Sequence, residues 1–152
     1  MDTQELIGQA AKGLKLRDIM LYQASFGRPK PDFGDGPGEG FQQGKRAVSF
    51  TEGEAAGGEG AAKRLLQIRV ELGTRVVSDP TGPEPEVLFF IEAEYIVEYE
   101  LIDHLPEEAI KAFAEFNAIH NVWPFWRQHV FDIVQRAKLP HLDVPLFSGA
   151  KL

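Results

Sequence analysis

A chain of 152 residues, 43% hydrophobic and 26% charged, is sized for one domain with a real core, so residues 1–152 are expected to form a single domain of ordinary soluble composition. The absence of cysteine excludes disulfides and thiolate metal sites and fits a cytoplasmic protein, and the longest apolar runs, such as 87–91, fall far short of the roughly 20 residues of a membrane helix. The net charge of −7 is unevenly spread: residues 84–108 carry nine acids and no Lys or Arg, a stretch that repels nucleic acid and anionic lipid and suits a basic partner.

The opening "MDTQELIGQAAKGLK" lacks a basic start followed by an apolar block, so no secretory signal is expected. Residues 2–12 read as a turn or two of helix or as a loose N-terminus (1–13). "LKLRDIMLYQASF", 14–26, mixes aliphatic and aromatic residues as a strand does. "GRPKPDFGDGPGEGFQQG", 27–44, is too rich in Gly and Pro for a helix or a central strand and reads as a long crossover loop. "KRAVSF", 45–50, is a short strand, followed by a flexible Gly-rich link.

Leu66, Ile68, Val70 and Leu72 then alternate with Gln67, Arg69 and Glu71, the period-two pattern of a half-buried strand. "DPTGPEP" turns the chain. From Val87 to Leu101 every odd position is apolar, while Glu92, Glu94, Glu98 and Glu100 occupy even ones. That suits an antiparallel sheet with one face in water. Fifteen strand residues would span roughly 50 Å, so a bend or break midway is expected. "LPEEAIKAF" starts a helix, with Pro106 in the first turn and Glu107 and Glu108 at the positive end of the dipole. Helical spacing resumes at Val130, and Pro124 between them is expected to kink or split the helix. Pro140 and Pro145 stop it, leaving a C-terminal tail, 139–152. Strands followed by helix define an α+β fold, a sheet with a long kinked C-terminal helix packed on one face.

Chemistry is sparse. His120 and His129 lie nine residues apart, about 900° around a straight helix and so on opposite faces. No close histidine pair exists, and the histidines read as solvated or hydrogen-bonded groups rather than metal ligands. "GDGPGEG", 34–40, lacks the Lys-Ser/Thr of a phosphate loop and reads as a flexible segment. The strand glutamates read as a solvated face or as a docking face for a basic protein, not as an acid–base pair in a cleft. With no nucleophile elbow, catalytic triad or cofactor fingerprint, no catalytic residue, metal or cofactor is expected. The aromatics are the exception. Trp123, Phe125 and Trp126 together cover about 250° of a helix, more than one packing face, and Phe33 and Phe41 sit in a Gly/Pro-rich loop. Two readings stand: Trp123, Phe125, Trp126 and Phe131 are simply core, or the chain is an oligomer whose loop and helix aromatics frame an apolar groove.

The C-terminal third, "WPFWRQHVFDIVQRAKLPHLDVP", resembles the SecB family of protein-export chaperones. The resembling motifs are Trp123-Pro124-Phe125-Trp126-Arg127, Arg136-Ala137 and Leu139-Pro140-His141-Leu142-Asp143-Val144-Pro145, with Arg17-Asp18-Ile19 matching the family's first strand. The resemblance runs over roughly residues 14–148 and agrees in element order. It implies a four-stranded antiparallel sheet, assembled as a homotetramer (a dimer of dimers) with helices buried between the halves. It also implies a chaperone without cofactor that binds unfolded or export-bound polypeptides and keeps them translocation-competent, handing them to the motor SecA. The matching positions imply docking of SecA at Asp18, Phe90 and Glu92. Phe33, Phe41 and Trp126 are then expected in the client groove, and Trp123, Phe125 and Phe131 in the oligomer interface. The family usually continues into a further C-terminal helix and a SecA-engaging tail, where this sequence reads "LFSGAKL". Two other expectations stand beside the export role: a SecB-like chaperone of a toxin–antitoxin system, and a small-ligand-binding α+β domain with Tyr95 and Tyr99 lining a closed pocket.

Overall fold

The computed structural model describes residues 2–29, 40–56, 62–79, 81–145 and 147. Helix α1 (Thr3–Gly13) begins with a reciprocal capping box: Asp2 Oδ1 accepts from the Glu5 N–H at 2.8 Å, and Glu5 Oε2 accepts from the Asp2 N–H at 3.2 Å. These two carboxylates satisfy donors that a helix start otherwise leaves open, so the segment is three turns of helix rather than a loose end. Its buried side, Ala10 and Gly13, packs toward α2 (Glu107–Phe113). Gly13 is fitted to its neighbour, since a Cβ there would come within 2.9 Å of Leu105 Cδ2. Asp2→Ala is expected to cost about 1 kcal/mol. Amide exchange should show α1 losing protection first; unchanged protection would mean that packing alone holds it.

Four strands follow: β1 (Leu14–Gly27), β2 (Phe41–Ala55), β3 (Lys63–Val77) and β4 (Val87–Leu101), in the antiparallel order β1-β4-β3-β2. The alternation read in β4 is borne out. Phe89, Ile91, Ala93, Tyr95, Val97, Tyr99 and Leu101 are buried, and the even positions are half-buried. In β3, Leu66, Ile68, Val70 and Leu72 are buried as expected. β4 runs its 15 residues without a break, matched in length by β2 and β3. β2 is much longer than "KRAVSF". Side-chain pairs to β3 hold both ends: Arg75 donates to Gln43 at 2.8 Å and Arg64 to Glu52 at 3.4 Å. Pairing of this kind outweighs the weak strand preference of glycine.

The helical region is continuous from Glu107 to Ala137: α2, a π-helical turn at Ala114–Ala118, and α3 (Ile119–Ala137). The irregular turn thus precedes Pro124, which α3 accommodates inside itself. α3 ends on Lys138 in the left-handed conformation (φ 56°), with the Leu139 N–H donating to Val134 O at 3.1 Å. This is a Schellman closure, normally built with glycine. Lys138→Gly should therefore raise stability by about 0.5–1 kcal/mol, measured as a higher urea midpoint; a lower midpoint would show that the lysine side chain holds the turn.

By Cα packing the chain divides into two compact units, one of residues 1–22, 47–70 and 95–122, the other of 23–46, 71–94 and 123–152. In the first, the Tyr99 ring meets Phe113 edge-on at 5.1 Å and its hydroxyl donates to Asn121 Oδ1 at 2.6 Å. In the second, Phe89, Ile91, Leu72 and Val76 are buried on the strands, and Trp123, Trp126 and Val130 on the helix.

Candidate functional site

The polar face of β4 is less acidic than its own sequence suggests. Neighbouring strands supply counter-charges: Lys45 meets Glu92 at 3.0 Å, Arg17 meets Glu98 at 3.6 Å and Lys63 meets Glu100 at 3.8 Å. Arg69 lies over the Tyr22 ring at 4.8 Å. Exposed pairs of this kind add little stability, but they cancel the local field. Of the expected docking residues, Glu92 is one of those paired. Phe90 is half-buried beside Gly27, where a Cβ would come within 2.8 Å of its ring. Asp18 is exposed in the other unit, its Oδ1 accepting from the Ile19 N–H at 2.9 Å.

Tyr95 and Tyr99 are core residues. Burial pushes the Tyr95 hydroxyl up to about 12 and Tyr99 higher still, so both stay protonated at any working pH. With its hydroxyl committed to Asn121, Tyr99 leaves no polar wall for a small ligand. Among the described residues no three His, Asp or Glu side chains form a metal-binding group, and no helix is long and apolar enough to cross a membrane.

The aromatic cluster separates into two sets. Trp123 and Trp126 are buried, while Phe125 and Phe131 are 54% and 59% exposed. That division explains why the cluster spans more than one helix face. Phe41, at the start of β2, is exposed as well. Phe33 and the "GDGPGEG" stretch up to residue 39 lie outside the described residues. Trp126 lies 6.2 Å from the His129 ring, whose Nε2 is buried without a hydrogen-bond partner.

Burial lowers the His129 pKa below its ordinary 6.5, with Asp132 opposing. The folded chain therefore takes up this proton less readily than the unfolded chain. The contribution to stability is present above pH 6.5 and is lost as the pH falls below it. His129→Phe should flatten the fall in urea midpoint between neutral pH and about pH 5.5; an unchanged slope would assign it to another group.

Beyond α3 the tail carries no regular secondary structure, and side chains of its own unit hydrogen-bond to it. Gln42 pairs with the Asp143 peptide in both directions: its Nε2 donates to Asp143 O at 2.8 Å and its Oε1 accepts from the Asp143 N–H at 3.3 Å. Arg127 Nε donates to Val144 O at 2.8 Å, and Trp123 Nε1 to Pro145 O at 2.7 Å. The Phe147 ring lies 5.2 Å from Trp123 and 5.2 Å from the Arg46 guanidinium. Beside this strip, Pro124, Arg127, Phe131, Val134, Leu142 and Val144 border a groove of about 450 Å³. Arg127 stands in the Trp123–Arg127 motif, but its bond to the tail, like that of Gln42, leaves no mark in the sequence, because a side chain that binds main-chain atoms leaves no motif at its target.

No protein-family model matches the sequence, and no curated protein matches it significantly. The architecture is nevertheless a known one, the α+β fold of SecB-like chaperones. The Mycobacterium tuberculosis Rv1957 SecB-like chaperone, in complex with a ChAD peptide from the Rv1956 HigA1 antitoxin, superposes with a TM-score of 0.62 over 97% of this chain and 100% of that one. Sequence identity is 18%, so what the two share is the fold.

Proposed function

We propose that the chain is a SecB-like molecular chaperone that holds unfolded polypeptide segments and keeps them from aggregating. The observation that carries this reading is apolar exposure. Leu16, Leu21, Phe41, Ile102, Phe125 and Phe131 are all open to solvent on a chain that is otherwise well charged. Exposed large apolar side chains of this kind are what an interaction surface would offer to an apolar segment. Client segments would shed water against them, without nucleotide or cofactor. Several weak contacts along one long client would raise the overall affinity above that of any single one.

Two client classes fit. An aggregation-prone antitoxin is supported by the peptide bound in the fold neighbour. Export preproteins handed to SecA are the other class, with docking at Asp18, Phe90 and Glu92. The Lys45–Glu92 pair weakens an acidic dock and favours the first. Assembly as a homotetramer would use the exposed Phe125 and Phe131, with Trp123 already buried in its own chain.

Light scattering tests the reading. A mass near 68 kDa, four chains of 16.9 kDa, is expected to rise with denatured but not native protein, alongside slower aggregation of the denatured protein. A chain that neither gains mass nor slows aggregation overturns it.

A further inference from the structure

We propose that the strip holding residues 141–145 and 147 is a binding site for an extended peptide bearing an aromatic residue, and that the chain's own tail occupies it in place of a client. The inference builds on the chaperone reading and names the chemistry of one client contact.

The contacts point to a general peptide site rather than a private anchor. Three successive carbonyls, of Asp143, Val144 and Pro145, accept from Gln42, Arg127 and Trp123 at 2.7–2.8 Å. Each of these bonds reaches the main chain, which every polypeptide carries. The tail's charged side chains take no part: His141 and Asp143 face each other at 3.5 Å and are almost fully exposed. Its apolar side chains do take part, since Leu142 is buried and Phe147 contacts Trp123 and Arg46. A segment that gives its main chain to hydrogen bonds and buries some side chains while exposing others is how a peptide is read in a groove.

The site is also preset. Gln42 is oriented by a bond from its Nε2 to Thr74 Oγ1 at 3.1 Å, and Trp123 and Arg127 stand on α3. The occupant, by contrast, is held through side chains. Among the described residues, no backbone–backbone hydrogen bond ties the segment beyond Leu139. The side-chain hydrogen bonds, the Trp123 and Arg46 contacts to Phe147 and the burial of Leu142 are each modest in net strength. The tail is thus positioned to give way to a competing peptide, and its occupancy lowers the apparent affinity for that peptide by the fraction of time the site is free.

The test uses the full chain and a labelled synthetic peptide of the tail's own sequence, HLDVPLF. Phe147→Ala removes the tail's ring from the site. The variant is expected to bind HLDVPLF about five- to tenfold more tightly than the wild-type chain does. Adding Gln42→Ala or Arg127→Ala to that variant should abolish the gain, and HLDVPLA should not bind. A tail that only buttresses the fold predicts the opposite: Phe147→Ala lowers the urea midpoint and HLDVPLF binds neither protein, which overturns the proposal. The second arm adds a permanently unfolded, carboxymethylated protein as competitor. Displacement of HLDVPLF by it supports both the site and the chaperone reading. A peptide that binds while the unfolded protein neither binds nor competes keeps the site, rejects its use for clients, and counts against the chaperone reading separately.

Discussion

Trp126→Ala should be the most damaging single substitution in the helix, costing about 3–5 kcal/mol of stability. The indole is 2% exposed and lies beside His129, so its removal leaves a cavity that its neighbours on α3 fill only in part. For a chain of this size the thermal transition should fall by about 10 °C. Below that transition, unfolded-protein binding should be little changed, because the lost side chain belongs to the interior. A variant that kept its transition temperature but lost client binding would instead put the indole in the client groove.

Phe125→Asp combined with Phe131→Asp should have the largest effect on assembly. Both rings are more than half exposed in the single chain, so replacing them changes that chain's own stability by only about 0.5 kcal/mol each. Across an interface the balance differs. Each buried phenylalanine contributes about 1.5–3 kcal/mol, a carboxylate in its place adds a desolvation cost, and symmetry repeats the loss in every subunit. Light scattering should then report a mass falling from about 68 kDa toward that of one or two 16.9 kDa chains. An unchanged mass would move the interface off α3. A wild-type chain already monomeric would leave these rings to clients alone.

What was legible in the sequence follows from how far each signal reaches. The alternation of β4 is local and strong, and it survives intact in the buried row from Phe89 to Leu101. The helix after Pro106 is equally local. The helix α1 also had a local sign, Asp2 with Glu5 three residues on, which was overlooked beside the surrounding polar residues. The true length of β2 had no such sign. Gln42, Gln43 and Glu52 are strand residues because of partners on β3, from 12 to 32 positions away. The polar face of β4 was misjudged for the same reason, since its cations come from other strands. The tail strip was the least legible part: Gln42 and Asp143 are 101 positions apart and meet through main-chain atoms. Helix geometry requires that some of Trp123, Phe125 and Trp126 leave the packing face, but it does not say which; burial of both tryptophans and exposure of Phe125 emerge only in the folded chain.

The borrowed cations of β4 have a consequence for how the chain is made. Residues 84–108 contain no Lys or Arg, so in a nascent or unfolded chain the glutamates of β4 have no permanent counter-charge within their own segment. An apolar strand of this kind would otherwise seek its own copies, and like charges along it hold them apart. Only when β1, β2 and β3 bring Arg17, Lys45 and Lys63 alongside are Glu98, Glu92 and Glu100 neutralised. A slip of one residue would turn the glutamates toward the apolar side, so the same charges reject the wrong pairing. The glutamates of β4 thus act as gatekeepers during synthesis and as a check on register afterwards.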